Sequence, residues 1–239
     1  MATRADVLRE LGLAPRWRLR ARNEVVHAAD GVDVDVDNDV DPRRTRIASL
    51  AFDALVDDIA QCRACGLCAT RKRTVPGVGA ADAAWMFVGE APGADEDAQG
   101  EPFVGAAGQL LDNMLAALGL ARGNDVFIAN VLKCRPPNNR TPEPLEVDAC
   151  RPYLDRQIAL IAPALIVALG KSAACTLLDV DASVASLRHR IHRYRGTLLI
   201  VTYHPAYLLR TPLDKAKVWE DLLFARRTLR EMASAQVVS

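Results

Sequence analysis

Short apolar runs alternate with amphipathic stretches along most of this chain. Trp85–Val88, Val126–Val131, Leu165–Leu169 and Leu198–Tyr203 are rich in branched and aromatic side chains. They read as strands buried on both faces. Ala106–Leu118, Glu143–Ile161 and Lys171–Leu178 fall between or beside them with helical spacing, and Lys215–Met232 follows the last. An earlier stretch carries Ile47, Leu50, Ala51, Ala54, Leu55 and Ile59 on one helical face. Parallel strands need crossovers, and crossover helices cover the sheet's faces. The alternation therefore predicts an α/β fold, a three-layer α/β/α sandwich around a four-stranded parallel sheet. The basic stretch Arg188–Arg195 reads as a hairpin leading into the last strand.

The first residues follow another pattern. Residues 6–20 read as a short amphipathic helix, a turn, and Trp17 among arginines. Val32–Asp41 alternates valine with aspartate. The period suits a strand, but aspartates repel one another and have poor strand propensity, so a charged flexible linker is expected. The stretch lacks the glycine and terminal glutamate of a calcium loop. The expected division is an amino-terminal extension, 1–45, and a folded domain, 46–239.

Half of the 239 residues are apolar, enough for a full core. The first residues lead into polar sequence rather than an apolar leader. The longest apolar run, near Ile158–Leu169, contains Pro163 and is too short to span a bilayer. A soluble, cytoplasmic monomer without membrane contact is the expectation. Formal net charge is zero, which by itself argues against a polyanion as partner. Residues 1–41 change that picture: they hold six arginines against nine acidic residues, so the remainder carries 24 basic against 21 acidic. The folded domain is mildly basic.

Six cysteines occur, at 62, 65, 68, 134, 150 and 175. In a cytosolic chain such a set reads as metal binding before disulfides. Four thiolates hold either zinc or an iron–sulfur cluster, and spacing does not choose. Cys68 leaves the first pair open, since 65/68 repeats the 62/65 spacing. Cys175, in the run Ala-Ala-Cys-Thr-Leu-Leu, reads as a core residue.

Chemistry gathers after the strands. The first runs into Gly89-Glu90-Ala91-Pro92-Gly93, then Asp95, Glu96 and Asp97, then Phe103 between Pro102 and Gly105. The second reaches Asn130, Lys133 and Cys134, the third Gly170-Lys171-Ser172, the fourth His204-Pro205-Ala206-Tyr207-Leu208-Leu209-Arg210. Ligands bind at the carboxyl ends of such strands. Gly170-Lys171-Ser172 is not a nucleotide loop, because Leu165 stands where that motif requires glycine.

The segments Gly89–Gly93, Pro102–Gly105, Asn130–Pro137 and His204–Arg210 resemble the family 4 uracil-DNA glycosylases, in the same order, over roughly residues 47–232. The resemblance implies a [4Fe–4S] cluster on Cys62, Cys65, Cys134 and Cys150, with Cys68 extra and residues 1–45 outside the match. It implies base excision from uracil-containing DNA, single- or double-stranded, and so a place at the nucleoid. Gly89 and Ala91 would line the base pocket, and Phe103 would stack on a flipped uracil. Asn130 would accept from N3–H and donate to O4, a pattern cytosine reverses. His204 would donate to O2 as negative charge develops there. Glu90 and Glu96 are the candidates for positioning water. Ala91 stands where better-known members of the superfamily carry aspartate, and it cannot activate water. Leu208, Leu209 and Arg210 would wedge the base stack. Lys133, Arg135, Arg140 and the stretch Arg188–Arg195 are expected to meet phosphates.

Two rivals are a relative that cross-links to uracil-DNA and a non-catalytic iron–sulfur DNA-binding module. The first carries glutamine at the position of Ala91 and a reactive histidine in an inserted loop; the loop after Cys134 holds none. Against the second stand Phe103, Asn130 and His204. Residues 1–22 resemble, through Leu11-Gly12, Trp17 and Leu19-Arg20, the amino terminus of the psi subunit of the bacterial clamp loader. That implies a replication-machinery partner.

Overall fold

The computed structural model describes residues 41–237. Residues 1–40 of the expected extension, with the expected helix and the acidic linker up to Val40, lie outside the described residues. Asp41 caps the first helix, α1 (Pro42–Ser49), by accepting from the Arg43 amide at 2.9 Å, with Pro42 in the first turn. The single helix expected over 47–59 is two helices, α1 and α2 (Phe52–Gln61), broken where Leu50 turns extended.

The sheet is mixed and six-stranded rather than four-stranded and parallel. Its strands are β1 (Val78–Gly79), β2 (Trp85–Gly89), β3 (Val126–Asn130), β4 (Leu165–Leu169), β5 (His192–Tyr194) and β6 (Thr197–Thr202). Their order is β1-β3-β2-β4-β6-β5. The four expected strands form the parallel centre, and β1 and β5 add short antiparallel edges. β5 and β6 form the expected hairpin.

The central strands are apolar on both faces because both faces are covered. Met86, Val88, Phe127, Ala129, Ile166, Ala168, Leu199 and Val201 pack with α1, α2, α5 (Pro144–Ile161) and α6 (Lys171–Leu178). Trp85, Phe87, Ile128, Val167 and Ile200 pack with α4 (Ala106–Ala117) and α9 (Lys215–Val237). Short helices α3 (Ala94–Gln99), α7 (Val184–Leu187) and α8 (Pro205–Arg210) fill the connections. The chain steps from β2 to β3 on one side, then returns to β4 on the other. That reversal opens a crevice above the carboxyl end of β2.

Among the described residues no helix is long and apolar enough to cross a membrane.

Candidate functional site

The crevice is a cavity of about 500 Å³, lined among others by Glu90, Phe103, Asn130 and His204. Glu90 and Phe103 come from the connection after β2, Asn130 from the end of β3 and His204 from the loop after β6. Gly89 is the pivot. A Cβ there would lie 2.4 Å from Asn130 Oδ1 and 2.7 Å from Phe103 Cζ. Only glycine lets the amide and the ring close over the strand end.

Phe103 holds a strained backbone, φ +56°, and is 6% exposed. Arg122 secures it, donating Nη1 to Pro102 O at 2.7 Å, Nη2 to Phe103 O, and Nε to Asp112 at 2.6 Å. Gly108 makes room beneath: a Cβ there would fall 1.7 Å from Phe103 O. The Phe103 ring stacks against His204, with centroids 5.4 Å apart and planes 27° apart.

Asn130 is 2% exposed, and its Oδ1 is buried without a hydrogen-bond partner. Such an acceptor costs about 1–3 kcal/mol until a donor arrives.

His204 caps α8, its Nδ1 accepting from the Ala206 amide at 3.1 Å. The ring proton therefore sits on Nε2. Burial, reinforced by Arg210, lowers the imidazole to about 4 against a smaller opposing pull from Glu96. The ring is neutral at physiological pH and offers a donor rather than a charge.

The two carboxylates differ. Glu96 Oε2 accepts from the Gly93 amide at 3.0 Å, and its Oε1 from Val104 and Gly105 at 3.1 and 3.3 Å. Both oxygens are committed to tying two loops together. Glu90 faces the cavity, and burial raises its carboxyl above the usual range, opposed by a hydrogen bond from Ser172. Ala91 and Gly93 line the same wall.

Several residues expected to contact DNA are buried or engaged in ion pairs. Lys133 is 1% exposed, its Nζ donating to Asn130 O at 2.7 Å, so it reaches no phosphate. It follows β3 but turns under the strand end instead of outward. Arg140 lines the cavity, yet its guanidinium grips Glu146 at 2.9 and 2.6 Å. Arg188 pairs with fully buried Asp221 at 3.1 Å, while Arg195 pairs with Asp155 at 2.7 Å. The turn at Arg195 sits at the amino end of β6, opposite the cavity. Leu208 is 1% exposed and belongs to the core; α8 replaces the expected loop and turns Leu209 outward, 46% exposed. Arg210 is exposed at the cavity rim, and Arg135 is half-buried, bonded to Asn139 at 2.7 Å.

A second concavity collects Cys62, Cys65, Cys68, Cys134 and Cys150, with Arg71 and Lys133 in its wall and no acidic residue. Arg71 Nη1 donates to Cys134 Sγ at 3.2 Å, Arg43 Nη2 approaches Cys62 Sγ at 3.8 Å, and the Lys133 amide donates to Cys150 Sγ at 3.3 Å. Burial pushes the Cys150 thiol up to about 12. Among the described residues no three Cys, His, Asp or Glu side chains converge as a single ion requires. Cys175 stands apart, its Sγ donating to Ala182 O at 3.4 Å.

Arg122, Gly108, Arg71 and Arg43 were not foreseen from the sequence. The first two hold the stacking ring, and the last two face the sulfurs.

The family model of the uracil DNA glycosylase superfamily matches residues 76–223. A type-4 uracil-DNA glycosylase of Archaeoglobus fulgidus is 48% identical over 170 residues, 68% of this chain and 85% of that protein. One from Pyrobaculum aerophilum is 48% identical over 172 residues, 69% of this chain and 87% of that protein. One from Thermotoga maritima is 43% identical over 177 residues, 72% of this chain and 92% of that protein.

Proposed function

Because this chain belongs to the uracil DNA glycosylase superfamily and is 48% identical to type-4 members over 170 and 172 residues, we propose how its cavity performs uracil excision. The protein is a monofunctional DNA repair glycosylase that hydrolyses the N-glycosidic bond of uracil and leaves an abasic site. The base leaves the stack and enters the cavity. Phe103 stacks on its ring. Asn130 accepts from N3–H through the orphaned Oδ1 and donates to O4 through its amide nitrogen. That orphaned acceptor is the observation that carries the reading: it lacks the donor that uracil supplies and cytosine does not. Gly89 and Ala91 form the close wall against which the base seats.

As the C1′–N1 bond breaks, its electron pair leaves with uracil. His204 Nε2–H donates to O2, where that charge accumulates, and a neutral donor suffices for it. Water adds to C1′ and gives its proton to Glu90, whose burial makes it more basic than an ordinary carboxylate. Glu96 organises the Gly93 and Phe103 loops rather than touching water. Leu209 fills the gap left in the stack, and Arg210 and Arg135 meet the backbone.

Cys62, Cys65, Cys134 and Cys150 would hold a [4Fe–4S] cluster. The donor set supports this: sulfur ligands only, a wall free of acids, and N–H donors aimed at three sulfurs, the surroundings a cluster's negative charge requires. A single-ion geometry is not what such a cluster needs, since each thiolate binds a different iron. Held there, it would tie together the loops that carry Asn130 and Arg140 and leave bond cleavage to the cavity residues.

Residues 1–22 remain a proposed dock for a replication-machinery protein, and the chain acts as a monomer at the nucleoid.

The test is release of free uracil from a labelled oligonucleotide by the iron-loaded protein. Turnover lost in Asn130→Ala and His204→Ala supports the reading. A heat-stable protein–DNA adduct without free uracil would replace it with the cross-linking alternative.

A further inference from the structure

Lys133 stands between the two centres, and neither the base chemistry nor the cysteine set accounts for it. It is 1% exposed. A buried ammonium is costly unless an anion and hydrogen bonds compensate it. Among the described residues no carboxylate pairs with it; it shares the wall of the second concavity with Cys134 and Cys150. Its Nζ donates to the main-chain oxygen of Asn130 at 2.7 Å. Its amide donates to Cys150 Sγ at 3.3 Å, and its own carbonyl accepts from the Val75 amide at 2.8 Å. One residue thus holds the base-reading asparagine with its side chain and the cysteine centre with its backbone.

The Asn130 carbonyl needs that bond. Beyond Asn130 the amides of Val131 and Leu132 donate to Gly89 and Glu90 at 2.9 and 3.1 Å, continuing the pairing with β2. The chain then dives toward Cys134. The carbonyl at the corner turns toward the lysine, which closes a loop three residues long.

We propose that Lys133 is a positioning residue that couples the cysteine centre to uracil recognition, its backbone tied to Cys150 and its side chain fixing the Asn130 peptide beneath the base. This rests on the reading of Asn130 as the residue that grips uracil. A group held by Cys134 and Cys150 would fix the sulfur that the Lys133 amide meets. Without it the Lys133 backbone would lose that anchor, and the Asn130 corner would loosen with it.

The experiment compares wild type, Lys133→Met and Asn130→Ala, each with iron content measured, for affinity toward free uracil and for kcat and KM on a uracil oligonucleotide. Methionine keeps all but the last atom of the side chain and removes the ammonium that donates to Asn130. The expected result is iron-replete Lys133→Met that binds uracil about 10–100-fold more weakly and binds uracil-free DNA as wild type does. Wild-type uracil affinity in iron-replete Lys133→Met, with Asn130→Ala defective, overturns the lysine's role alone. Unchanged affinity in Asn130→Ala overturns the underlying reading and the coupling with it. Should Lys133→Met fail to hold iron, amide exchange in wild type decides. Chelation is expected to speed exchange at Val131 and Leu132 while Phe87 in β2 stays protected. Equal protection at Val131 and Leu132 with and without iron contradicts the coupling.

Discussion

Gly89→Ala perturbs the site at its tightest point. The added methyl falls 2.4 Å from Asn130 Oδ1 and 2.7 Å from Phe103 Cζ. Ordinary carbon contacts lie near ~3.5–4.0 Å, so the amide and the ring must each give by about 1 Å. Neither gives cheaply. Asn130 is buried at the end of β3, and Phe103 is held by Arg122 above Gly108. Overpacking of this kind costs about 1–3 kcal/mol of stability. A displacement of about 1 Å at the reacting groups costs on the order of 10²-fold in rate. The expected outcome is a folded protein with a modestly lowered thermal midpoint and kcat/KM for uracil release reduced about 100-fold, or ~2.7 kcal/mol. Steady-state kinetics beside a thermal melt separates the two effects. In Gly89→Ala/Phe103→Ala the methyl and ring no longer compete, so the double variant should lose less than the sum of the singles. Strict additivity, or a single variant within threefold of wild type, would refute the close-packing argument.

His204→Ala should lower kcat by about 10²–10³-fold, the usual cost of losing a donor to a developing oxyanion. The His204 imidazole is lowered to about 4 from an ordinary 6.5, so the folded state resists a proton that the unfolded chain accepts. Stability contributed by neutral His204 is therefore full above pH 6.5 and lost as pH falls from 6.5 toward 4, and urea titrations across that range should show it disappear in His204→Gln. Glu96→Ala strands three amides and should lower the thermal midpoint together with activity, whereas Glu90→Gln should lower kcat with little change in the melt. Arg210→Ala should reduce the salt slope of DNA binding by about 1, while Arg188→Ala, which strands buried Asp221, should lower stability and leave the slope unchanged. Cys150→Ser should abolish bound iron, and Cys68→Ala should retain it, as iron analysis and visible absorbance will read.

The residues of the cavity were legible because each is out of place locally. Phe103 sits between proline and glycine, Asn130 ends the apolar strand β3 and His204 lies just past β6, where nothing but a site accounts for them. Depth was not legible. Lys133 follows a strand in a basic string, and only the turn of the chain toward Cys134 directs its side chain inward. Leu208 and Leu209 look equivalent in sequence; the helical period of α8, started by Pro205 after the His204 cap, separates core from surface. Arg122 lies in a turn distant from Phe103 in sequence, and no local pattern signals its grip. The edge strands β1 and β5 are two and three residues long, below the length at which alternation can be read. The break between α1 and α2 carries neither glycine nor proline to announce it.

The most direct measurement is a crystal structure of the iron-loaded protein with free uracil in its cavity. The expected complex has the ring stacked on Phe103, N3 and O4 on the Asn130 side chain, and O2 within hydrogen-bond reach of His204 Nε2. Uracil seated elsewhere, or held in the cavity with Asn130 Oδ1 still lacking a partner, contradicts the central claim.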